Sequence, residues 1–254
     1  MDKNKLLNIY KDVLSIPLED NPQSELFAGV FVDGLPNFTF EKCDAAFHSF
    51  RNTSQYKYPI YLFCYDVNQY EADKINQKYT DVTIYGTPHL NNSFLYNEWM
   101  INKVFRYIDP KHENLITFQE DGFPIKSGWE EYCLNFDYIG APWRDAVRLK
   151  ENKFCLPETK IGNGGMSFRK LSKIIEVMDK VEAVGGQDII EGMYLDGQLR
   201  QNNKWIPEDA YFAYFGFGLN IFKPVTVEQA KRFSEEPLEN YKNEQMPFAF
   251  HKID

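Results

Sequence analysis

The sequence has few cysteines, and none of them is paired. Cys43, Cys64, Cys133 and Cys155 are far apart, and no two of them form a CxxC motif. This spacing excludes a zinc cluster built on paired cysteines and a dense disulfide framework. It favours reduced thiols and a cytoplasmic location, with attachment at the inner membrane face as a second option.

Segments typical of export or of membrane insertion are also missing. Charged residues interrupt the apolar residues of the N-terminal stretch MDKNKLLNIYKDVL, which is unlike a signal peptide. No apolar run approaches the roughly 18 residues of a membrane span. We therefore expect no transmembrane segment.

Basic surface is scarce as well. The formal net charge is −9, the isoelectric point is about 5.1, and no stretch is dense in Lys and Arg. Proteins whose main task is binding nucleic-acid phosphates need such a stretch or face. Nucleic acid is therefore not an expected partner. A small phosphate-bearing ligand remains possible if a metal ion or a few local cations offset the negative charge.

The first half of the chain alternates strand-like and helix-like segments. Apolar runs end at Asp33, at Asp66 and at the group Gln119, Glu120 and Asp121. This β-α-β-α order predicts a mostly parallel twisted sheet flanked by helices, with a ligand crevice beyond the carboxyl ends of the strands. The acids would meet at that edge, although an isolated acid is equally typical of a turn or a helix cap.

The second half has a different pattern, but no linker or repeat separates it from the first. A short helix, a strand with a Pro-Trp turn and a longer amphipathic helix follow Gly122. We expect a single domain over residues 1–254, with a nucleotide-binding half at about 20–121 and an acceptor-binding half at about 122–254.

A glycine-rich segment, IGNGGMSFR, lies in the second half. It lacks the spacing of a P-loop, and Ser167 stands where a dinucleotide-binding fingerprint has its third glycine. Gly164 and Gly165 would let a flat ligand approach the backbone, and Asn163 offers a donor and an acceptor to hydroxyl groups. A bulged or tightly turning strand explains the same glycines without a ligand.

Acidic residues recur in the segment PEDAYF. Glu208 and Asp209 follow Pro207, which is typical of a helix start. Together with FQED, this segment supplies a second carboxylate that could take a proton from a hydroxyl while the first group holds a divalent metal. His251 is either a further metal ligand or a structural histidine.

These segments, in the order FQEDGF, FDYIGAPW, IGNGGMSFR, PEDAYF and PFAFHK, resemble the motif series of the DUF5672 family, whose members are predicted GT-A-type glycosyltransferases. The resemblance covers roughly residues 90–252. A more distant similarity relates the glycine, ED and FH motifs to inverting β-galactosyl and fringe-like transferases. The resemblance implies a GT-A-like α/β domain that moves a sugar, with inversion, from a nucleotide-sugar donor to an acceptor hydroxyl.

The resemblance also implies roles for individual residues. Asp209 would be the general base with Glu208 beside it, and Asp121 and His251 would hold Mn²⁺ or Mg²⁺. The residues expected near the donor and its sugar are Asp66, Gln119, Glu120, Trp143, Asn163, Gly164 and Gly165. A UDP-sugar is the favoured donor and a glycan the favoured acceptor, as in surface polysaccharide or glycan synthesis. Gln119 stands where a full DxD motif has its first acid, which leaves the metal requirement open.

Two other classes of protein use the same residue types. A carbohydrate-binding module would use the aromatics, the acids and Asn163 to hold a sugar without turnover. A metal-dependent nucleotidyltransferase or sugar-phosphate hydrolase would use clustered acids and release pyrophosphate or phosphate.

Overall fold

The computed structural model describes residues 3–34, 38–150, 155–185, 192–195, 198–201, 206–235 and 246–251. The elements, in chain order, are α1 (Lys3–Leu14), β1 (Phe27–Asp33), α2 (Phe40–Thr53), β2 (Ile60–Cys64), α3 (Gln69–Lys78), β3 (Val82–Gly86), α4 (Ser93–Asn102), a 3-10 turn (Val104–Arg106), β4 (Asn114–Phe118), α5 (Trp129–Cys133), β5 (Tyr138–Leu149), β6 (Thr159–Lys170), α6 (Leu171–Glu182), β7 (Gly192–Leu195), β8 (Gln198–Gln201), α7 (Glu208–Gly218), α8 (Val227–Phe233), β9 (Ser234–Glu235) and β10 (Ala249–Phe250). No helix in these ranges is long and apolar enough to cross a membrane.

The strands β1 to β8 form one central sheet in the order β3-β2-β1-β4-β6-β5-β7-β8. β1 to β4 are parallel to one another, as predicted. β6 pairs antiparallel with β4 and with β5, and β7 and β8 continue antiparallel. The predicted fold class, a single α/β domain with a central sheet flanked by helices, is confirmed. The division into nucleotide-binding and acceptor-binding halves stays a prediction.

Two apolar cores lie on the two faces of the sheet. Because successive side chains of a strand point to opposite faces, Phe27 and Phe31 of β1 enter one core and Ala28 and Val30 enter the other. Residues from α1, α2 and α5 complete the first core, and residues from α4, α6 and α7 complete the second. Burial on both faces explains why β1, β2 and β4 have nearly continuous apolar sequences.

Polar side chains define where two of the early helices begin. Asn68 and Asn92 precede α3 and α4, and their side chains accept hydrogen bonds from backbone N–H groups of the first turn. The sequence predicts one helix from Ser93 to Asp109, but α4 ends at Asn102. The chain then makes the 3-10 turn, whose Val104 and Phe105 are buried in the second core.

Candidate active site

A cavity of about 360 Å³ lies at the carboxyl ends of β1 and β4. Its walls come from the end of β1, the first turns of α2 and α4, and the turn that follows β4. Parallel strands bring their carboxyl ends to one edge of a sheet, and ligands of α/β proteins bind there. The cavity is therefore in the place that the sequence pattern predicts.

The turn after β4 presents two of the predicted acids to this cavity. Gln119 and Gly122 exchange backbone hydrogen bonds of 2.8 and 3.2 Å. This pairing leaves Glu120 and Asp121 at the tip, where both line the cavity. The Gln119 side chain donates to the hydroxyl of Tyr96 on α4 at 3.1 Å, which links two walls of the cavity.

The charge of the cavity lining is predominantly negative. Asp33, Glu120 and Asp121 line it, and Lys42 is the one cation among its described residues. Lys42 lies 3.5 Å from Asp33. The pKa of Glu120 is raised, first by partial loss of water and then by the charges of Asp121 and Asp33. An anionic ligand would meet repulsion here unless a cation accompanied it.

Two residues expected near the donor lie outside this cavity. Asp66 follows β2 with a φ of 51° and is exposed, but it is not part of the lining. It lies at the predicted edge, in a bend before α3. Trp143 of β5 is only 6% exposed and packs in the second core, so the structure gives its indole ring no open face for a sugar.

The glycine-rich segment forms a bulge in β6. Gly140 of β5 pairs with Ser167, but the next residue of β5, Ala141, pairs with Asn163. Residues 164–166 therefore bulge from this ladder, as in the ligand-free explanation of the glycines. Asn163 is 6% exposed, and its side-chain oxygen accepts the N–H of Gly165 at 3.4 Å, within the bulge.

The space beside the two bulge glycines is filled by the protein itself. A Cβ at Gly164 would lie 2.6 Å from Cβ of Asp209 and 2.7 Å from Oε1 of Glu208. A Cβ at Gly165 would lie 1.9 Å from Nε2 of His251. The expectation that these glycines leave room for a ligand is thus corrected: they let Asp209, Glu208 and His251 approach the backbone.

Glu208, the first residue of α7, is held by a buried arginine. Arg169 donates to its two carboxylate oxygens at 2.7 and 3.0 Å. Arg169 is 0% exposed and Glu208 is 5% exposed. The backbone N–H of Glu208 donates to the side chain of Asn97 on α4 at 3.0 Å. A carboxylate paired in this way has little freedom to accept a proton from a substrate.

Asp209, the next residue, is partly exposed, and backbone N–H groups bind its carboxylate. Its two oxygens accept backbone N–H groups, from Gly164 at 2.9 Å and from Ala210 at 2.7 Å. Loss of water, and then the charge of Glu208, raise the pKa of Asp209 to about 6, against the opposing effect of these hydrogen bonds and of Arg169. A carboxyl group with this pKa has the basicity expected of a general base.

The C-terminal segment brings His251 to the same place. Phe250 donates its N–H to Phe123, and Ala249 bridges Pro124, so this segment lies along the chain that follows the acidic turn. A Cβ at Gly122 would lie 3.0 Å from Cδ2 of His251 and 3.0 Å from the carbonyl oxygen of Gly165. The turn, the bulge and His251 are therefore in direct contact.

The described residues contain no group of three or more His, Cys, Asp or Glu side chains that could hold a metal ion. Asp121 and His251 together would supply two ligands. Mg²⁺ commonly takes one or two protein carboxylates and completes its shell with substrate phosphates and water. The donor types present suit such a shared shell, which needs a phosphate-bearing ligand.

Sequence reasoning missed several residues of this site. Lys42, Tyr96 and Arg169 were not among the candidates, and Asp33 was noted only as a strand end. The sequence does contain a signal for Arg169. It follows the apolar end of a strand-like segment, IGNGGMSFR, and an arginine buried there needs an anionic partner. Lys42 and Tyr96 lie on helices whose sequences do not distinguish them from other surface residues.

The fold and site together define an α/β domain with an acidic crevice at its carboxyl edge. The chain belongs to the family described as "Protein of unknown function (DUF5672)", which matches residues 80–251. A search of curated proteins found no match.

Three solved structures are similar to the chain. Mouse xyloside xylosyltransferase 1, in its apo form, is 10% identical, with 92% of this chain and 98% of that chain covered and a TM-score of 0.49. The mannosyltransferase Ktr4p from S. cerevisiae is 10% identical, with 72% and 70% covered and a TM-score of 0.38. HddC from Yersinia pseudotuberculosis is 13% identical, with 59% and 79% covered and a TM-score of 0.34.

Proposed function

We propose that the protein is a glycosyltransferase that moves a sugar from a nucleotide-sugar donor to an acceptor hydroxyl with inversion. The observation that carries this proposal is Asp209, a partly exposed carboxylate with a pKa raised to about 6. It is the second residue of α7 and contacts the bulge that also touches the acidic turn of the cavity. The motif series supports the same assignment.

In this proposal the cavity holds the nucleotide part of the donor. Its lining includes the apolar Phe31, Val32 and Leu90, and polar groups come from Asn92 and Ser93 at the start of α4. An apolar pocket with a few placed polar groups suits a nucleoside. The acidic turn would then lie beside the phosphates, near the point at which they are attached to the nucleoside. We favour a UDP-sugar as donor and a glycan as acceptor.

A divalent cation would reconcile a diphosphate with this acidic lining. Asp121 and His251 would hold Mn²⁺ or Mg²⁺, and the phosphates would supply further ligands. When bound, the cation would offset the negative charge that develops on the leaving nucleoside diphosphate.

Asp209 performs the acid-base part of the reaction. Its free carboxylate form accepts the proton of the acceptor hydroxyl as the oxygen attacks the anomeric carbon. The bond from that carbon to the diphosphate breaks, and its electrons leave with the nucleoside diphosphate. The hydrogen bonds from Gly164 and Ala210 fix the carboxylate for this step. General-base assistance contributes about 10²–10⁴-fold to such a rate.

The test is a screen of nucleotide sugars with Mn²⁺, read first by thermal stabilisation and then by release of nucleoside diphosphate with and without sugar acceptors. A ligand at a hundredfold excess over its Kd stabilises by about 2.7 kcal/mol, so a true donor is detectable. Release of pyrophosphate or inorganic phosphate would favour the other enzyme classes. Sugar binding that needs no nucleotide would favour a carbohydrate-binding module.

The Asp209→Asn variant tests the proposed base. Transfer should fall by about 10²-fold or more, because the amide cannot accept the proton. Nucleotide affinity should stay within a few-fold of the unsubstituted protein. Asp73→Asn on α3, an exposed aspartate outside the cavity lining, is the matched control. Near-normal turnover in Asp209→Asn, or a product that retains the donor's anomeric configuration, would contradict the assignment.

A further inference from the structure

Arg169 of β6 is completely buried. It lies close to the proposed base, because a Cβ at Gly164 would be 2.8 Å from Nη2 of Arg169 and 2.6 Å from Cβ of Asp209. Two of its nitrogens donate to Glu208, and Nε donates to Oγ of Ser167 at 2.9 Å. A guanidinium presents its donors in a rigid planar fork. The two terminal nitrogens are bonded to Glu208 and Nε is bonded to Ser167, so the side chain is held in one orientation.

Aromatic rings enclose the same guanidinium. Its central carbon lies 5.3 Å from the ring centre of Phe105, 5.4 Å from that of Tyr138 and 5.7 Å from that of Phe212. Cation–π attraction stabilises a cation in such surroundings. A buried ion pair nevertheless contributes little net stability, since apolar residues of similar volume often stabilise a core equally well. Fold stability alone is therefore a weak explanation for this pair.

The pair connects three elements at the start of α7. Glu208 is bound to β6 through Arg169 and to α4 through Asn97. Asp209, the adjacent residue, is bound to β6 through the N–H of Gly164. Glu208 and Asp209 are thus fixed to the same strand. The Glu208 carboxylate is paired with Arg169 and does not take part in the proposed reaction, whereas the Asp209 carboxylate is the proposed base.

We propose that Arg169 is a positioning residue, which holds Glu208 and with it the first turn of α7, so that the carboxylate of Asp209 stays at the Gly164 amide. The inference rests on the proposed function, in which Asp209 accepts the proton of the acceptor. A displacement of about 1 Å in such a group can reduce the rate about 10²-fold. Loosening the fork should therefore slow turnover without weakening donor binding.

The first test is Arg169→Lys, which keeps the charge and removes the fork. The kcat should fall at least about tenfold while the KM for the donor changes less than about threefold. The matched control is Arg232→Lys on α8, because Arg232 also packs on aromatic rings, those of Tyr132 and Phe248. That control should keep its kcat.

The second readout does not depend on turnover. The Gly164 N–H is bonded to Asp209, so its hydrogen exchange reports whether that carboxylate is in place. In Arg169→Lys this amide should exchange at least about tenfold faster, while core amides such as that of Val30 keep their protection. If the protein transfers no sugar at all, the proposed function fails, and the exchange of Gly164 still decides the positioning role.

Other variants keep the proposal testable if Arg169→Lys does not fold. The double variant Arg169→Met with Glu208→Leu restores an apolar packing of similar volume, and it should fold but lose activity at least about tenfold. Asn97→Ala removes a partly exposed partner of Glu208 and should show a smaller loss. A folded variant at Arg169 with normal kcat and normal Gly164 exchange overturns the proposal. If no variant at Arg169 folds, normal kcat and exchange in Asn97→Ala overturn it.

Discussion

Glu208 and Asp209 are adjacent in sequence, yet the fold gives them opposite surroundings. The Glu208 carboxylate receives both arms of a guanidinium and is buried. The Asp209 carboxylate receives two backbone N–H groups and stays partly exposed. Environments that separate two neighbouring carboxyl groups in this way assign them different roles. The sequence offered both as candidates and could not tell which of them is paired with a buried cation.

The pH dependence of transfer should follow Asp209. Its pKa is raised to about 6, and a general base works only when ionised, so the rate should be constant above about pH 7 and fall about tenfold per pH unit below 6. Of the groups that interact with it, Tyr96, Tyr138 and Arg169 have raised pKa values and stay protonated throughout this range.

Initial rates at saturating donor measure this profile between about pH 4.5 and 8.5, the range in which such a base titrates. Circular dichroism at each pH separates loss of the base from loss of the fold. A rate that stays constant down to about pH 5 in a folded protein would exclude a base with this pKa.

Gly165 provides a second prediction at the residue scale. A Cβ there would lie 1.9 Å from the imidazole of His251, whereas a Cβ at Gly86 would meet nothing within 4 Å. Overpacking of this kind costs typically about 1–3 kcal/mol, so Gly165→Ala should lower the free energy of unfolding by that amount. Gly86→Ala, the control, should change it by less than about 0.5 kcal/mol.

Denaturant unfolding of the two variants compares these free energies directly. If Gly165→Ala is as stable as the unsubstituted protein, the imidazole of His251 does not lie against the bulge. It would then be unavailable as a partner of Asp121 in the proposed metal site.

At the scale of elements, the parallel half of the sheet could be predicted because three of its four strands, β1, β2 and β4, are buried on both faces. Continuous apolar runs, such as those of β1, β2 and β4, need no distant information to be recognised. The antiparallel half was not predicted. β6 contains four glycine and polar residues in succession, which is unlike a buried strand. It pairs with β4 and β5, and its own sequence does not indicate these partners.

Helix α1 is a second element whose role the sequence did not indicate, and it lies outside the matched family region. The hydroxyl of Tyr10 donates to the backbone carbonyl of Glu120, and its ring packs 6.0 Å from that of Phe123. The helix therefore supports the acidic turn from outside the cavity. Its buried residues Leu6, Ile9 and Val13 attach it to the first core.

Tyr10→Phe tests this support, because it removes the hydroxyl and keeps the ring. A lost hydrogen bond contributes about 0.5–1.5 kcal/mol, so the metal-dependent affinity for a nucleoside diphosphate should fall about two- to tenfold. Calorimetric titration measures it. Tyr70→Phe on α3, at a tyrosine that is 66% exposed, is the control. Equal affinities in all three proteins would show that α1 does not support the turn.

At the scale of the whole molecule, the site is assembled from segments spread between Tyr10 and His251. Motifs in the sequence identified the acidic turn, the bulge and the start of α7, because each is a local departure from an otherwise apolar run. Their mutual contacts could not be predicted. Trp143 is an example of a contact that the motif did not predict correctly. Its motif suggested contact with a ligand, but the side chain is buried in the second core.

The net charge of the chain and the lining of the cavity lead to the last prediction. The chain carries a net charge of −9, and three acids face one lysine in the cavity. A nucleoside diphosphate would be repelled by both, so its binding should need a divalent cation. We expect UDP to bind at least about tenfold more tightly with Mn²⁺ than with chelator, since each tenfold step needs only about 1.4 kcal/mol of coupling.

Asp121→Asn should remove most of this metal dependence, because it neutralises a proposed ligand at the tip of the turn. Asp66→Asn should leave it unchanged, since Asp66 lies outside the cavity lining. Calorimetry on the three proteins separates the possibilities. Equal affinity with and without Mn²⁺ would exclude Asp121 as a metal ligand, and Lys42 would then have to balance the phosphates by itself. A loss confined to Asp66→Asn would move the nucleotide to the end of β2, where the sequence alone also predicted it.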